Sequence, residues 1–305
     1  MRRYVDGMVA NGGGDGPEAV TAALHAAFNL PWRPNATKVC VLIADAPPHG
    51  LEPTGDGFPN GDPDGLDPLD IARDMAVHGI TLYSVGCEPA LSQYRFARDF
   101  LCTVADMTGG QAVALSSAGL LADVIVNGSA EELCLAKLQG QVEEEVVQVQ
   151  LEARKAGKEI TTEGAVAAAY TNLQARGMQS VQMCTDGYME NTTKGSWGGV
   201  AEKKRLGDVK TKLCEGMPAV DAASRCSYLE SVSTTLPPAS LSLPGCKSRA
   251  KKVSCAAAPD ACVAPLMPSA RAPKTSTMNY MSKDLISQDQ VARIVSRAQY
   301  QSRLL

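Results

Sequence analysis

The chain has 305 residues with a net charge of −4, room for one or two domains and no global basic character that would argue for nucleic acid. No run of about 18 apolar residues occurs, which argues against a membrane span. The first residues, M-R-R-Y-V-D-G-M, lack the apolar core of a secretory signal, so the expected location is cytoplasmic. Of the ten cysteines, Cys40, Cys87, Cys102 and Cys134 lie inside apolar patterns and read as packing residues. Cys214, Cys226, Cys246, Cys255 and Cys262 lie in polar sequence without a C-x-x-C spacing. They read as free thiols, with a zinc or disulfide framework as the alternative.

Arg2 to Val9 reads as the end of a helix running into a Gly-rich turn. Asp15, followed three residues later by Glu18, has the pattern of a capping box for a helix over Gly16 to Asn29, with Val20, Leu24 and Phe28 on its buried face. Lys38 to Ala44 (K-V-C-V-L-I-A) is apolar enough to be a central strand buried on both faces. It ends at Asp45, and the turn A-P-P-H-G that follows leaves a carboxylate at the strand's C-terminal mouth, where open α/β sheets bind ligands. Leu51 to Leu66 is too rich in Gly and Pro to form an element and reads as a solvated acidic loop. Within it, Asn60, Asp62, Asp64 and Gly65 match the start of an EF-hand loop, but Ile71 stands where a bidentate Glu is needed.

Asp67 and Pro68 then form an N-cap and first-position proline for the next helix, ended by Gly79. Ile80 to Gly86 is a second strand, Leu91 to Met107 a helix, Gln111 to Leu115 a third strand and Ser117 to Asn127 a closing helix. The order β-α-β-α-β-α implies a parallel sheet with helical crossovers. From Ser129 to Lys158 a long helix has Leu135, Leu138, Val142, Val146 and Val149 on one seam, suited to packing within the chain or to pairing with another chain. Glu163 to Arg176 forms a further helix. Beyond Gly187 the stretch is rich in Pro, Ser, Ala and Lys and is expected to be largely disordered. The basic cluster Lys247, Arg249, Lys251 and Lys252 reads as solvated linker. A last amphipathic helix is expected over 283–303.

The strings G-G-G-D-G-P-E-A-V, V-L-I-A-D-A-P-P-H-G, C-E-P-A-L-S-Q-Y and T-G-G-Q-A-V-A-L, in that order, resemble the latter half of a von Willebrand factor A domain. The similarity is to the type found in protist and algal proteins and in alpha-kinases that carry such a domain. It implies an incomplete doubly wound, Rossmann-like α/β sheet over residues 1–127; pattern and composition add a helical extension over 128–186, a low-complexity, disordered stretch over 187–282 and the short helix 283–303. It also implies a Mg²⁺ site at the strand mouth in which Asp45 matches a ligand and Asp15 stands near the loop that carries a Thr in relatives. The family's Asp-x-Ser-x-Ser element is absent. Met1 falls after the point where the first strands should have passed, so strand 39–44 should lose a neighbour and expose unpaired backbone groups, and one carboxylate without its serines should hold Mg²⁺ weakly or not at all. The expected function is a non-enzymatic protein-interaction module whose rim includes His49, Asp62 and Asp64. The alternative is a metal-independent scaffold acting through the helix 129–158. The expected partner is another protein, with self-association through strand 39–44 or helix 129–158 also open. The three histidines lack a matching nucleophile, so catalysis is not expected.

Overall fold

The computed structural model describes Gly7, residues 14–198, Val200, residues 204–215 and residues 279–301. Three parallel strands, β1 (Lys38–Ala44), β2 (Ile80–Cys87) and β3 (Ala112–Leu115), lie side by side in that order. Helices α1 (Val20–Phe28), α2 (Pro68–Val77) and α3 (Ala97–Met107) alternate with them, so the α/β class and the parallel crossovers are as the sequence pattern predicts. The start of α2 is also as expected. The Asp67 carboxylate accepts from the Leu69 and Asp70 N–H groups, and Pro68, which has no N–H to leave unpaired, follows it.

Alternation along β2 sorts its side chains to two faces. Ile80 and Leu82 join Leu24, Leu69, Met75, Phe100 and Leu101 under the three helices. Tyr83 and Val85 join Val113, Leu115, Val124 and Met183 on the opposite side. Each fully buried Leu among them contributes about 1.5–3 kcal/mol. The helix α4 (Leu121–Lys155) is 35 residues long, about 52 Å at 1.5 Å per residue. It merges the predicted closing helix and long helix into one element. Its first turns cover the sheet, where Gly128 lies so close to the Tyr83 ring that a Cβ would come within 2.9 Å. Its later turns pack Leu135, Val142, Val146 and Val149 against α5 (Thr162–Ala175) and α8 (Gln288–Gln301).

Several expectations are corrected. β1 pairs with β2 alone among the described residues, as the loss of a neighbour implies, but it is not buried on both faces: its residues are half-buried, with Ile43 47% exposed. The far edge of β3 is closed by Gly187 to Met189, through Ala114 N–H to Gly187 O and Met189 N–H to Ala112 O. The Asp15/Glu18 capping box does not form. The helix starts at Val20 after Ala19 without a side-chain cap, and Glu18 instead bridges Pro48. An antiparallel pair, β4 (Gln179–Thr185) with β5 (Asn279–Leu285), was not expected, and it moves the start of the last helix from 283 to Gln288.

Residues just beyond Gly187, expected to carry little fixed structure, hold α6 (Lys194–Trp197) and α7 (Leu206–Cys214). Trp197, Leu206, Val209 and Leu213 enter the main core. The buried Asp99 carboxylate accepts from the Thr192 N–H at 2.7 Å and from the Thr193 hydroxyl, which anchors this turn. The predictions for Arg2 to Val9, for the basic cluster 247–252, and for Cys226, Cys246, Cys255 and Cys262 lie outside the described residues. No helix among the described residues is long and apolar enough to cross a membrane.

Candidate functional site

The loops at the C-terminal mouth of the sheet carry every residue that the sequence singled out. Asp45 follows the last residue of β1 and is exposed. Among the described residues it makes no hydrogen bond or ion pair, and its nearby charge helps burial to raise the Cys87 thiol. Such a carboxylate is open to solvent and to a partner.

In the turn that follows and the loop before α1, three side chains converge. His49 Nδ1 lies 2.9 Å from Asp56 Oδ1 and 3.5 Å from Asp15 Oδ2, and the three groups form the one cluster of this kind among the described residues that a metal could bridge. Asp15 and His49 were expected near the site; Asp56 was not. Asp56 is the centre of the arrangement. Its Oδ2 accepts from the Gly50 N–H at 2.7 Å, and its Oδ1 accepts from the Phe58 N–H at 2.8 Å. Asp15 Oδ2 accepts from the Gly57 N–H at 2.6 Å. The Phe58 ring meets the His49 ring edge-on, with centroids 4.9 Å apart. The local signal for Asp56 was present in the sequence as Asp-Gly-Phe, since an Asp that accepts from the N–H two residues on makes an Asx-turn.

The loop 51–66 is therefore held, not merely solvated. Leu51 is fully buried, and Glu52, also buried, accepts from the Phe96 N–H at 2.9 Å; burial pushes its carboxyl up. From the other side, Leu206 N–H donates to Asp67 Oδ2 at 2.8 Å, Arg205 to Gly65 O at 3.2 Å and Lys210 to Pro59 O at 3.1 Å. Gly50, at φ +86°, passes so close to Gly61 that a Cβ would meet its Cα at 2.6 Å, which requires glycine here. These contacts enclose a cavity of about 500 Å³ lined by His49, Asp62, Asp67, Leu206 and Lys210. His49 and Asp62 thus both line it. Asp64 stands apart, exposed, with its N–H donating to Asp62 Oδ1 at 2.9 Å.

Mg²⁺ needs close to six oxygens in octahedral array. Asp45 brings one carboxylate and belongs to no ligating cluster among the described residues, so these residues do not fit a closed Mg²⁺ site. The Asp15, His49 and Asp56 group mixes nitrogen and oxygen, a set suited to borderline metals such as Zn²⁺. Both oxygens of Asp56 and one of Asp15 already accept backbone N–H groups, so in this structure the trio serves as a hydrogen-bonded clamp joining two loops.

No protein-family model and no solved structure matches the chain. A stretch of 83 residues is 41% identical to the alpha-protein kinase vwkA of Dictyostelium discoideum. The match covers 27% of this chain and 13% of the kinase, well under two thirds of that protein's length.

Proposed function

We propose that this chain is a non-enzymatic protein-interaction module that holds its partner at the C-terminal mouth of the parallel sheet. The observation that carries this is Asp45, an exposed carboxylate at the end of β1 without an intramolecular partner among the described residues. It occupies the place that resemblance to the von Willebrand factor A family gives to a metal-ligating Asp, at the strand mouth that open α/β sheets use for binding. The similarity to a short stretch of an alpha-protein kinase, 13% of that protein's length, is compatible with this reading. The rim is the loop fixed by Asp15, His49 and Asp56, with Asp62 on the cavity wall and Asp64 outside it.

The partner contact is made by protein side chains, with Asp45 as a charged acceptor and the rim supplying shape. The single ligand at Asp45 predicts that Mg²⁺ adds little, so the family's cation-dependent contact is degenerate here. Catalysis is not part of the proposal: His49 faces Asp15, Asp56 and Phe58, and no serine or cysteine nucleophile lies against it among the described residues. The test is affinity capture with the full chain, comparing wild type with Asp45→Ala, each with and without chelator. Loss of specific partners with Asp45→Ala and little change with chelator supports the reading. Equal capture by wild type and Asp45→Ala overturns it.

A further inference from the structure

The outward face of α4 carries a pattern that the fold leaves unused. Val126 is 63% exposed, Leu133 54%, Val147 53% and Leu151 42%, on a helix whose opposite face is buried against the sheet, α5 and α8. Read along that outward face, Val126, Ala130, Leu133, Lys137, Gly140, Glu144, Val147 and Leu151 alternate steps of four and three residues. This is the a/d spacing of a two-helix seam. The residues facing inward, Val124, Leu135, Val142, Val146 and Val149, are a different set, so the helix has one seam for its own fold and a second one facing solvent. Large apolar side chains recurring in register on a solvent-facing helix mark an interaction surface, not scattered exposure.

We infer that this face pairs with the same face of a second copy of the chain, antiparallel, about a two-fold axis near Gly140. The occupant follows from the two charged residues in the seam. Lys137 and Glu144 are exposed and have no ion-pair partner among the described residues. In a parallel pair each would meet its own like charge across the seam, which is disfavoured. In an antiparallel pair the Lys137 of one copy comes within reach of the Glu144 of the other, twice, as two-fold symmetry requires. The same register brings Leu133 to Val147 and Ala130 to Leu151, so apolar residues on either side of the centre cover each other. At the centre, a Cβ on Gly140 would meet nothing within 4 Å, so the two helices can approach closely where they cross. This pairing uses neither Asp45 nor the rim and does not rest on the strand-mouth reading.

Sedimentation velocity of the full chain over a range of concentrations tests it. The expected result is a monomer–dimer equilibrium that weakens about tenfold or more in Lys137→Glu and in Glu144→Lys, since each reversal opposes like charges at two symmetry-related places. The double variant, Lys137→Glu with Glu144→Lys, should restore dimerisation toward wild type, because the swapped charges are again complementary. All these positions are solvent-facing, and circular dichroism checks that each variant keeps its helix content. A monomer at every concentration overturns the inference. A dimer that ignores both single reversals, as pairing through the free edge of β1 would, also overturns it. Single variants that weaken the dimer without rescue in the double variant refute the antiparallel register.

Discussion

At the scale of single residues, the rim depends on Asp56. Its carboxylate takes two backbone N–H groups and faces the His49 ring, while its own side chain is 2% exposed. Asp56→Ala leaves the N–H of the buried Gly50 unmatched, while the exposed Phe58 N–H can turn to water, and an unsatisfied buried donor costs about 1–3 kcal/mol. Urea unfolding should show a loss in that range, with faster amide exchange over 50–61; unchanged stability and exchange would contradict the clamp. The sequence showed Asp15, His49, Asp62 and Asp64 as polar residues in the right loops but gave no sign of which ones meet. Asp15 illustrates why: its local pattern suits a helix cap, and its carboxylate is used instead by the Gly57 N–H, 42 positions away. A carboxyl with a raised pKa lies elsewhere. Asp106 borders a cavity of about 460 Å³ near Asp289, and burial, helped by the Asp289 charge, pushes its carboxyl up to about 6. The residue as a whole is exposed, so solvent screens the effect and its contribution to stability is small. The sign is fixed: the folded state holds this proton more tightly than the unfolded state, so on this group's account stability falls as pH rises from about 4 to about 6. A carboxyl resonance titrating near 6 that vanishes in Asp106→Asn is expected; titration near 4 would contradict the assignment.

At the scale of elements, α8 is joined to the sheet by a buried charge network. Arg293 Nη1 lies 3.1 Å from Glu131 Oε1, and Arg293 also pairs with Glu132. It donates to the Tyr83 hydroxyl at 3.0 Å and to Gly109 O at 2.9 Å. Arg297 Nη2 stands 2.6 Å from Glu132 Oε2, and Gln290 donates to Glu131 at 2.8 Å and to Val181 O at 3.0 Å. Two carboxylates thus meet two guanidinium groups, and the set is close to neutral. Removing one member leaves an uncompensated buried charge, which costs about 3–5 kcal/mol. Arg293→Ala should therefore lower unfolding stability by about that much and free α8 to exchange; a loss under about 1 kcal/mol would show that the network carries little of the docking. The periodicity of α2, α3, α4 and α5 was legible because each presents one apolar face to a core. β4 and β5 were not, because Q-S-V-Q-M-C-T and N-Y-M-S-K-D-L alternate weakly. Each becomes a strand by pairing with the other across a long stretch of chain. Glu131 and Glu132 are likewise paired by Arg293, 162 and 161 positions away, a contact that no local pattern could signal.

At the scale of the whole molecule, the parallel order of the three strands and the position of Asp45 at the mouth were readable from apolar runs and turn residues. The edge position of β1 was also legible, because the absent family element removes a neighbour, but its half-burial was not. A run as apolar as V-C-V-L-I-A predicts burial on both sides, yet β1 stands at the end of the described sheet with Ile43 turned out. The strand's composition records a preference for being covered, while the described chain covers it on one edge alone. Binding at the mouth and pairing through α4 use separate surfaces, so changes in one should leave the other intact. The most direct measurement for the central claim is quantitative affinity capture with the full chain, wild type against Asp45→Ala, using Glu144→Lys as a surface-charge control. The account predicts a defined set of proteins retained by wild type and by Glu144→Lys but reduced several-fold by Asp45→Ala. The same set at equal abundance on all three would contradict a binding site at the strand mouth.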